Sequence, residues 1–279
     1  MILIADSGAT KTDWRLLADD GSIQQAKTVG FNPYFITGDE IAATLRTSLL
    51  PDLPKLPREV FFYGAGCSTP DRAAVVVGAL QAVFPHAEVQ VMHDLLAAAR
   101  ALCGREAGVA CILGTGSNSC LYDGRKITDQ RPNLGFWLGD EGSGGHLGKL
   151  LLTDFMHGDL PAELAKKFER RYRTDRDQIL AELYTQPAPN RHAASFAKFM
   201  FDHLRHPFVA RRVYGAFASF LERYVEKYSE ATAHPVHFTG SVAFYYSNLL
   251  RRVVQDRGLR LGRVLETPIA GLTLYHQEA

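Results

Sequence analysis

The first hydrophobic run of the chain is short and ends in a polar turn. Residues 2–5 are apolar, residues 6–13 are polar, and a second apolar run at 14–17 leads into Asp-Asp-Gly at 19–21. Short apolar runs separated by polar segments that contain glycine are typical of strands joined by turns. The pattern therefore predicts an N-terminal β-hairpin with a polar tip.

The same pattern recurs about a hundred residues further along the chain. An apolar run at 109–113 is followed by a polar turn at 114–119, a second short strand at 120–122 and Asp-Gly-Arg at 123–125. A unit that repeats at this distance indicates two related halves, because the repeats of solenoid proteins are much shorter.

Strand and helix signals alternate between the two hairpins. Strands predicted at 60–63 and 88–92 are interleaved with helices predicted at 40–49, 71–84 and 97–102. This alternation predicts an α/β fold with mixed sheets flanked by helices.

The C-terminal half of the sequence is more helical. Residues 144–229 predict helices interrupted by a loop at the two prolines of 186–190, and they precede a strand at 236–238, a bend at 239–241 and helices at 245–255 and 268–275. We therefore expect two domains, namely 1–106 with the terminal helix 268–279 packed back on it, and 107–267 with a helical insert at about 144–230.

Composition favours a globular cytoplasmic protein. Thirty-one Lys+Arg against thirty Asp+Glu leave a net charge of +1, which gives no field for binding nucleic acid or a membrane surface. The chain lacks both the apolar run of roughly 20 residues that spans a membrane and the basic leader of a signal peptide. We expect buried, reduced thiols at the four isolated cysteines, Cys67, Cys103, Cys111 and Cys120.

The tip of the first hairpin carries groups that suit phosphate and magnesium. Gly8 lets the backbone approach a ligand, the hydroxyls of Ser7, Thr10 and Thr12 can donate to phosphate oxygens, and Asp6 can hold hydrated Mg²⁺. An ordinary turn is the alternative interpretation, because the same residue types are common in turns.

The tip of the second hairpin, Gly-Thr-Gly-Ser-Asn-Ser at 114–119, is a dense set of hydrogen-bond donors. Such a set suits an anion or a ligand with many hydroxyl groups, although turn chemistry again explains it. Two such tips favour a triphosphate, because its clamping requires donors from two sides.

Asp94 lies just after the end of the strand predicted at 88–92, in the sequence Met-His-Asp. Ligands of α/β sheets bind at the carboxyl ends of parallel strands, where a carboxylate can accept the proton of a weakly nucleophilic hydroxyl. The alternative is an N-cap for the helix that follows.

Two further segments are candidate ligand sites. In 135–145, glycines surround the acidic pair Asp140 and Glu141, which predicts a loop rather than a core element, and the neighbouring aromatic residues offer a wall for a sugar. Capping of a helix by Asp140 or Ser143 is the competing interpretation. The bend at 239–241 can place backbone N–H groups against a ribose or adenine.

Taken in order, these segments resemble the superfamily of acetate and sugar kinases, heat-shock cognate proteins and actin. The specific matches are 6–13, 111–119 and 138–144, and the resemblance covers nearly the whole chain. More narrowly, the chain resembles the bacterial N-acetylglucosamine kinases that are grouped with the activating ATPases of 2-hydroxyacyl-CoA dehydratases (the BadF/BadG/BcrA/BcrD ATPase family).

The resemblance implies two RNase H-like domains of the actin-like ATPase type, with an ATP cleft between them, and it assigns roles to individual residues. Those expected to bind ATP are Asp6, Gly8, Thr10, Lys11, Gly114, Thr115, Gly116, Gly240 and Ser241. Those expected to face the sugar are Asn32, Ser117, Asn118 and Asp140. Asp94 matches the catalytic base, and Asp6 matches the residue on the magnesium side.

By this resemblance the protein transfers phosphate from ATP, with Mg²⁺, to the 6-hydroxyl of an N-acetylated amino sugar. N-acetylglucosamine is the first candidate. The segment 135–137 departs from the Gly-Gly-Trp type of the animal enzymes, which leaves N-acetylmuramic acid and glucosamine open. An activating ATPase with a cysteine-bound iron–sulfur cluster and a non-catalytic sugar sensor are the rival functions, and a homodimer is left open.

Overall fold

The computed structural model describes residues 1–8, 10–185 and 188–277, which form two compact units. Unit 1 comprises Met1–Glu106, Gly124–Lys126 and the chain from Thr267 onwards. Unit 2 comprises Ala107–Asp123 and Ile127–Glu266.

Unit 1 contains a mixed five-stranded sheet. Its strands are β1 (Ile2–Ser7), β2 (Lys11–Leu17), β3 (Ile23–Val29), β4 (Glu59–Gly64) and β5 (Glu88–His93). Their order is β3-β2-β1-β4-β5, in which β1 to β3 are antiparallel neighbours and β1, β4 and β5 run parallel. The predicted hairpin is confirmed as β1 and β2. The sequence pattern does not indicate β3, because this edge strand is largely exposed and polar.

Helices cover both faces of this sheet. They are α1 (Gly38–Thr44), which continues into a π-helical stretch at Leu45–Leu49 and a 3₁₀ turn at Leu50–Asp52, α2 (Pro70–Val83) and α3 (Asp94–Cys103). Alternate residues of β1 pack on opposite faces of the sheet. Leu3 packs with Trp14 in one cluster, and Ile4 packs with Ala97 of α3 in the other. The central strand is therefore buried on both sides.

Unit 2 repeats the topology of unit 1. Its strands are β6 (Ala107–Leu113), β7 (Ser117–Asp123), β8 (Ile127–Asp129), β9 (Val236–Thr239) and β10 (Leu261–Leu265). Their order in the sheet is β10-β9-β6-β7-β8. Strands β6, β7 and β8 form an antiparallel meander, and β9 and β10 run parallel to β6. The predicted repeat and the α/β fold class with two mixed, helix-flanked sheets are confirmed.

Most of unit 2 is helical. Its helices are α4 (Gly135–Leu138), α5 (Gly144–His157), α6 (Ala162–Tyr172), α7 (Arg176–Thr185), α8 (Pro189–Ser195), α9 (Ala197–Asp202), α10 (Pro207–Arg223), α11 (Ser241–Tyr245) and α12 (Ser247–Asp256), with a 3₁₀ turn at Val225–Lys227. The helix predicted at 245–255 is confirmed for 247–255, and a break at Tyr246 separates it from α11. The Tyr246 hydroxyl donates to Ala197 O at 2.7 Å. Part of the predicted loop at 186–190, residues 186 and 187, lies outside the described residues.

The last helix, α13 (Ile269–Gln277), belongs to unit 1. Leu272 packs in the cluster of Ile4 and Ala97, and Tyr63 Oη and His276 Nε2 share a hydrogen bond of 2.8 Å. Gly271 lies so close to Ala101 O of α3 that a Cβ atom would overlap it. No helix in the described chain is long and apolar enough to cross a membrane.

Candidate active site

Three strands of unit 1 end at the same level of the sheet. In the pairing register Ser7 lies opposite Gly64, and Gly64 lies opposite His93. We call the ends of β1, β4 and β5 the carboxyl edge. Asp6 precedes this edge on β1, and Asp94 follows it as the first residue of α3. The sheet thus brings the predicted magnesium ligand and the predicted base to one place.

Asp94 is not the N-cap of α3. The N-cap position is occupied by His93, which has extended backbone angles, and Asp94 lies inside the first turn. Burial raises the pKa of Asp94 to about 6, although hydrogen bonds from the backbone N–H groups of Leu95 and Asp94 oppose the shift. A carboxyl group with this pKa is ionised at neutral pH and remains basic enough to accept a proton.

Asp6 lies in a cluster of negative charge. It is directly opposite Asp13 across the β1–β2 pairing, and Asp13 is 5% exposed. Burial, followed by the charges of Asp13 and Asp94, raises the pKa of Asp6 to about 7, and Lys11 opposes the shift. Lys11 Nζ forms an ion pair with Asp13 at 2.9 Å. Like charges in opposite positions of two strands destabilise the pair, so this arrangement favours binding of a cation.

The tip of the first hairpin is divided between buried and exposed groups. Ser7 and Thr12 share a hydrogen bond of 2.8 Å, and both side chains are fully buried. Thr12 donates to Val29 O, and Ser7 Oγ accepts from Phe31 N. The prediction that both hydroxyls bind phosphate is therefore wrong, because the turn itself uses them.

The remaining groups of this tip are open to a ligand. Gly8, Thr10 and Lys11 are exposed, and Gly8 N donates to Lys11 O at 3.0 Å. Ala9, which lies within the same motif, is outside the described residues. The exposed part of the tip thus consists of three of the residues predicted to bind ATP.

Asn32 lies beside the first hairpin. Phe31 N donates to Ser7 Oγ at 2.9 Å, and Gly30 N donates to Thr10 O at 3.0 Å. These bonds tie the segment before Asn32 to both sides of the tip. All predicted site residues of unit 1 therefore belong to the carboxyl edge or to segments bonded to it.

In unit 2, the tip of the second hairpin is bonded to the start of α5. Gly144 N donates to Gly114 O at 2.8 Å, and Gly145 N donates to Thr115 O at 3.0 Å. Ser143 is the N-cap of α5 and accepts from His146 N at 3.1 Å. The competing interpretation of this segment as a capped helix start is thus right for Ser143, and the tip and the helix form one structural element.

The Asp140 side chain contacts the tip of the second hairpin. Its Oδ1 accepts from Ser117 N at 3.0 Å, and its side chain lies 3.0 Å from where a Cβ atom of Gly116 would be. Asp140 is 5% exposed and has a positive φ of 61°. Burial raises its pKa, and the bond from Ser117 opposes this shift. The predicted loop is right for 139–143, which has no regular secondary structure, whereas 135–138 forms α4 and α5 begins at Gly144. The prediction that the segment is unlike the core is wrong for 139–145, which is buried.

Ser117 carries a hydroxyl that is available for a ligand. Its N–H donates to Asp140, and its carbonyl accepts from Asn133 Nδ2 at 2.6 Å, but its buried Oγ has no partner within the described chain. A buried hydroxyl without a partner costs free energy unless something binds it. The neighbouring Asn118 uses Oδ1 to accept from Ser119 N at 2.9 Å.

A cavity of about 420 Å³ opens beside the second hairpin within unit 2. The tip of the hairpin, the start of α5 and the bend after β9 line one part of it, with Gly114, Thr115, Gly144, Ser241 and Val242. The rest of the lining comes from α8, α9, the end of α11 and the break that follows, with Ala194, Ala197, Lys198, Phe201, Tyr245 and Tyr246. Gly240 has a φ of +114°, and a Cβ atom there would overlap Leu113 O. Only glycine therefore lets the bend approach β6 so closely.

The aromatic wall of this cavity is a feature that the sequence did not indicate. Phe201 contacts Tyr245 and Tyr246 edge-on, with ring centroids 5.8 and 5.4 Å apart. These residues come from two predicted helical segments more than 40 residues apart, and periodicity within a segment does not show which segments pack together. A large, partly apolar cavity with a few polar groups is the usual form of a small-molecule site.

Comparison with family models and with curated proteins gave no match. Solved structures do match. A protein from Porphyromonas gingivalis, described as a "putative N-acetylglucosamine kinase", is 44% identical, with a TM-score of 0.94 over 100% of this chain and 99% of its own. The chain belongs to the same family as that protein.

More distant structures share the fold. A protein from Chromobacterium violaceum with the same description is 18% identical, with a TM-score of 0.75 over 98% of each chain. A glucokinase of the ROK family from Streptomyces griseus, solved with glucose and AMPPNP, is 17% identical, with a TM-score of 0.57 over 100% of this chain and 98% of its own. The family therefore has the two-domain fold of the actin-like ATPases and ROK kinases. The narrower grouping with the activating ATPases stays a prediction.

Replacing Asp94 with Asn should stabilise the protein at high pH. The pKa of Asp94 is raised on folding, so the folded state loses stability as pH rises from the ordinary Asp pKa through about 6. In buffer without nucleotide or magnesium, we expect Asp94→Asn to gain about 1–3 kcal/mol in free energy of unfolding near pH 8, and less near pH 5. Urea unfolding at both pH values measures this.

The matched control is Asp71→Asn. Asp71 occupies the first turn of α2 as Asp94 occupies that of α3, but it is exposed. It should show no gain at either pH, because its charge favours the helix N-terminus. A gain for Asp94→Asn that is equal at both pH values would contradict the assigned cause.

Proposed function

We propose that the protein is an ATP-dependent kinase that phosphorylates the 6-hydroxyl of an N-acetylated amino sugar, with N-acetylglucosamine as the first candidate. The observation that carries this proposal is the half-buried Asp94 carboxyl group at the carboxyl edge, with its pKa of about 6. The 44% identity to a protein described as a kinase of this sugar supports the choice of substrate.

Asp94 supplies the base that the reaction requires. The sugar oxygen forms a bond to the γ-phosphorus of ATP, the bond from that phosphorus to the β–γ bridging oxygen breaks, and ADP leaves. The proton of the sugar hydroxyl passes to Asp94, which is ionised above pH 6 or so. Turnover should therefore rise with pH through this range.

The cavity of unit 2 is the candidate nucleoside site. Its aromatic wall suits a purine ring, and the hydroxyls of Thr115 and Ser241 offer polar contacts. The phosphate-binding candidates Gly114 and Thr115 line the same cavity. A nucleoside bound there would place its phosphates beside the tip of the second hairpin.

The residues around Asp6 fit a magnesium ion. Mg²⁺ in nucleotide sites is held by one or two carboxylates together with phosphate oxygens and water, so the absence of any group of three or more potential ligands among the described residues does not conflict with it. Burial, followed by the neighbouring carboxylates, raises the pKa of Asp6, and a bound cation would favour the ionised form. When bound, Mg²⁺ neutralises charge on the β- and γ-phosphates.

No observation favours the activating ATPase. A cluster that bridges two subunits requires cysteines at the surface, whereas all four cysteines are buried thiols, as predicted. Burial, followed by the charge of Asp94, raises the pKa of Cys67 to about 12, which opposes thiolate ligation. A cytoplasmic location, a homodimer and the lack of nucleic-acid binding stay predictions.

The function is tested by an ATP-coupled kinase assay with Mg²⁺ over N-acetylglucosamine, N-acetylmuramic acid, glucosamine, N-acetylmannosamine and glucose. We expect the highest kcat/KM for N-acetylglucosamine, and mass spectrometry with NMR of the product should place the phosphate on the 6-oxygen. A higher kcat/KM for N-acetylmuramic acid or glucosamine would show that the substrate is that sugar instead. ATP hydrolysis at a rate that no sugar changes would overturn the proposal.

Asp94→Asn should lower kcat by roughly 10²–10⁴-fold, because the hydroxyl loses its proton acceptor. Binding of ATP and of sugar, measured by calorimetry, should change little, because Asn keeps the size of the side chain. Asp71→Asn again serves as the control and should retain full activity. A kcat within threefold of wild type would show that Asp94 is not the base.

Tyr245→Ala should weaken ATP binding. Loss of an aromatic face against a purine costs about 1–3 kcal/mol, so we expect the dissociation constant of ATP to rise roughly 5- to 150-fold. Tyr184 lies on α7 outside the cavity and is even more exposed, so Tyr184→Ala should leave binding unchanged. If calorimetry without sugar showed equal effects of the two variants, the assignment of the nucleoside to this cavity would be wrong.

A further inference from the structure

Arg72 contacts the turn that carries Asn32. Its Nη1 donates to Pro33 O at 2.9 Å, and its guanidinium carbon lies 4.3 Å from the centre of the Tyr34 ring. A hydrogen bond from a charged group and a cation–π contact thus act on two successive residues of one turn. Arg72 comes from the first turn of α2, about 40 residues further along the chain.

The turn fixes the orientation of the Asn32 amide. Asn32 Oδ1 accepts from Tyr34 N at 3.0 Å, and Asn32 O accepts from Phe35 N at 2.9 Å. Asn32 Nδ2, by contrast, has no hydrogen-bond partner in the part of the chain that the structure describes. The amide therefore presents two N–H donors to its surroundings, and its acceptor is already engaged.

Gly66 packs against the same amide. It has a φ of +83°, and a Cβ atom there would overlap Asn32 Oδ1 and lie 3.1 Å from Tyr34 Cδ2. The neighbouring Ala65 N donates to Ser7 O at 2.9 Å, next to Asp6. The oxygen side of the amide is thus held at the carboxyl edge.

We propose that Arg72 is a positioning residue for recognition of the sugar, because it holds the 32–35 turn in the conformation in which Asn32 Nδ2 donates to the substrate. This inference rests on the proposed function. The substrate atom that meets Asn32 has to be an acceptor, such as a hydroxyl or an N-acetyl carbonyl oxygen, because both free amide positions are donors.

The turn needs this support because, although Pro33 is buried, the two residues that follow it are exposed. The side chain of Tyr34 is 55% exposed and that of Phe35 is 77% exposed. Without Arg72, the turn would have to be ordered when the sugar binds, and that cost reduces affinity for the sugar alone. The nucleotide cavity lies in unit 2 and shares no residue with this turn.

The experiment is steady-state kinetics of Arg72→Met in the full-length enzyme. We expect the KM for the preferred sugar to rise roughly five- to fiftyfold, with kcat and the KM for ATP within twofold of wild type. Arg72→Lys keeps a cation over the ring and should recover part of the loss. Arg46→Met is the matched control, because Arg46 also donates to a backbone carbonyl of unit 1, that of Ala82 at 3.0 Å, and it should behave as wild type.

A second variant tests the donor directly. Asn32→Asp keeps the oxygen that accepts from Tyr34 but replaces both donors, so it should raise the sugar KM at least as much as Arg72→Met. The double variant should fall short of the product of the two effects, because both act through one contact.

Three results would overturn the inference while leaving the proposed function intact, namely an unchanged sugar KM in Arg72→Met, an equal rise in the KM for ATP, or multiplicative effects in the double variant. A wild-type protein without sugar-dependent turnover would overturn the proposed function, and this inference with it.

Discussion

The parallel pairing of β1 with β4 and of β4 with β5 is the constraint on which the unit 1 site depends. Because Ser7, Gly64 and His93 occupy one row of the register, the residues beside them are fixed relative to one another by main-chain hydrogen bonds. A slip of one residue in either pairing would turn Asp6 or the start of α3 to the opposite face. The two-sided core around Leu3 and Ile4 opposes such a slip.

The acidic groups at the carboxyl edge destabilise the folded protein, and they are suited to binding a cation or accepting a proton. Asp6 and Asp13 face each other. Burial raises the pKa values of both Asp6 and Asp94, and the charges of Asp13 and Asp94 raise that of Asp6 further. Such clusters are typical of sites where a proton or a cation is handled. In unit 2 the tip of the second hairpin is held instead by main-chain bonds from Gly144 and Gly145 and by the single carboxyl group of Asp140, which accepts from Ser117 N.

Local patterns predicted what depends on neighbours in sequence. Both hairpins and the strand that ends before Asp94 follow from short apolar runs and glycine-containing turns. The edge strand β3 was missed, because its side chains are largely exposed and the apolar pattern is lost. The edge strands β8 and β10, which are short and half-buried, were missed as well. Other features depend on tertiary packing, which no local pattern encodes. They are the hydrogen bonds that bury the hydroxyls of Ser7 and Thr12, the cavity wall at Phe201 and the contact of Arg72 with Tyr34.

The position of α13 affects how the protein is made. Unit 1 combines the first part of the chain with a helix that the ribosome synthesises only after unit 2. Until then, the face of the first sheet formed by Ile4 and the helix of Ala97 lacks its cover from Leu272. Unit 2, whose strands and helices lie almost entirely between these two parts, can therefore fold before unit 1 completes its hydrophobic core.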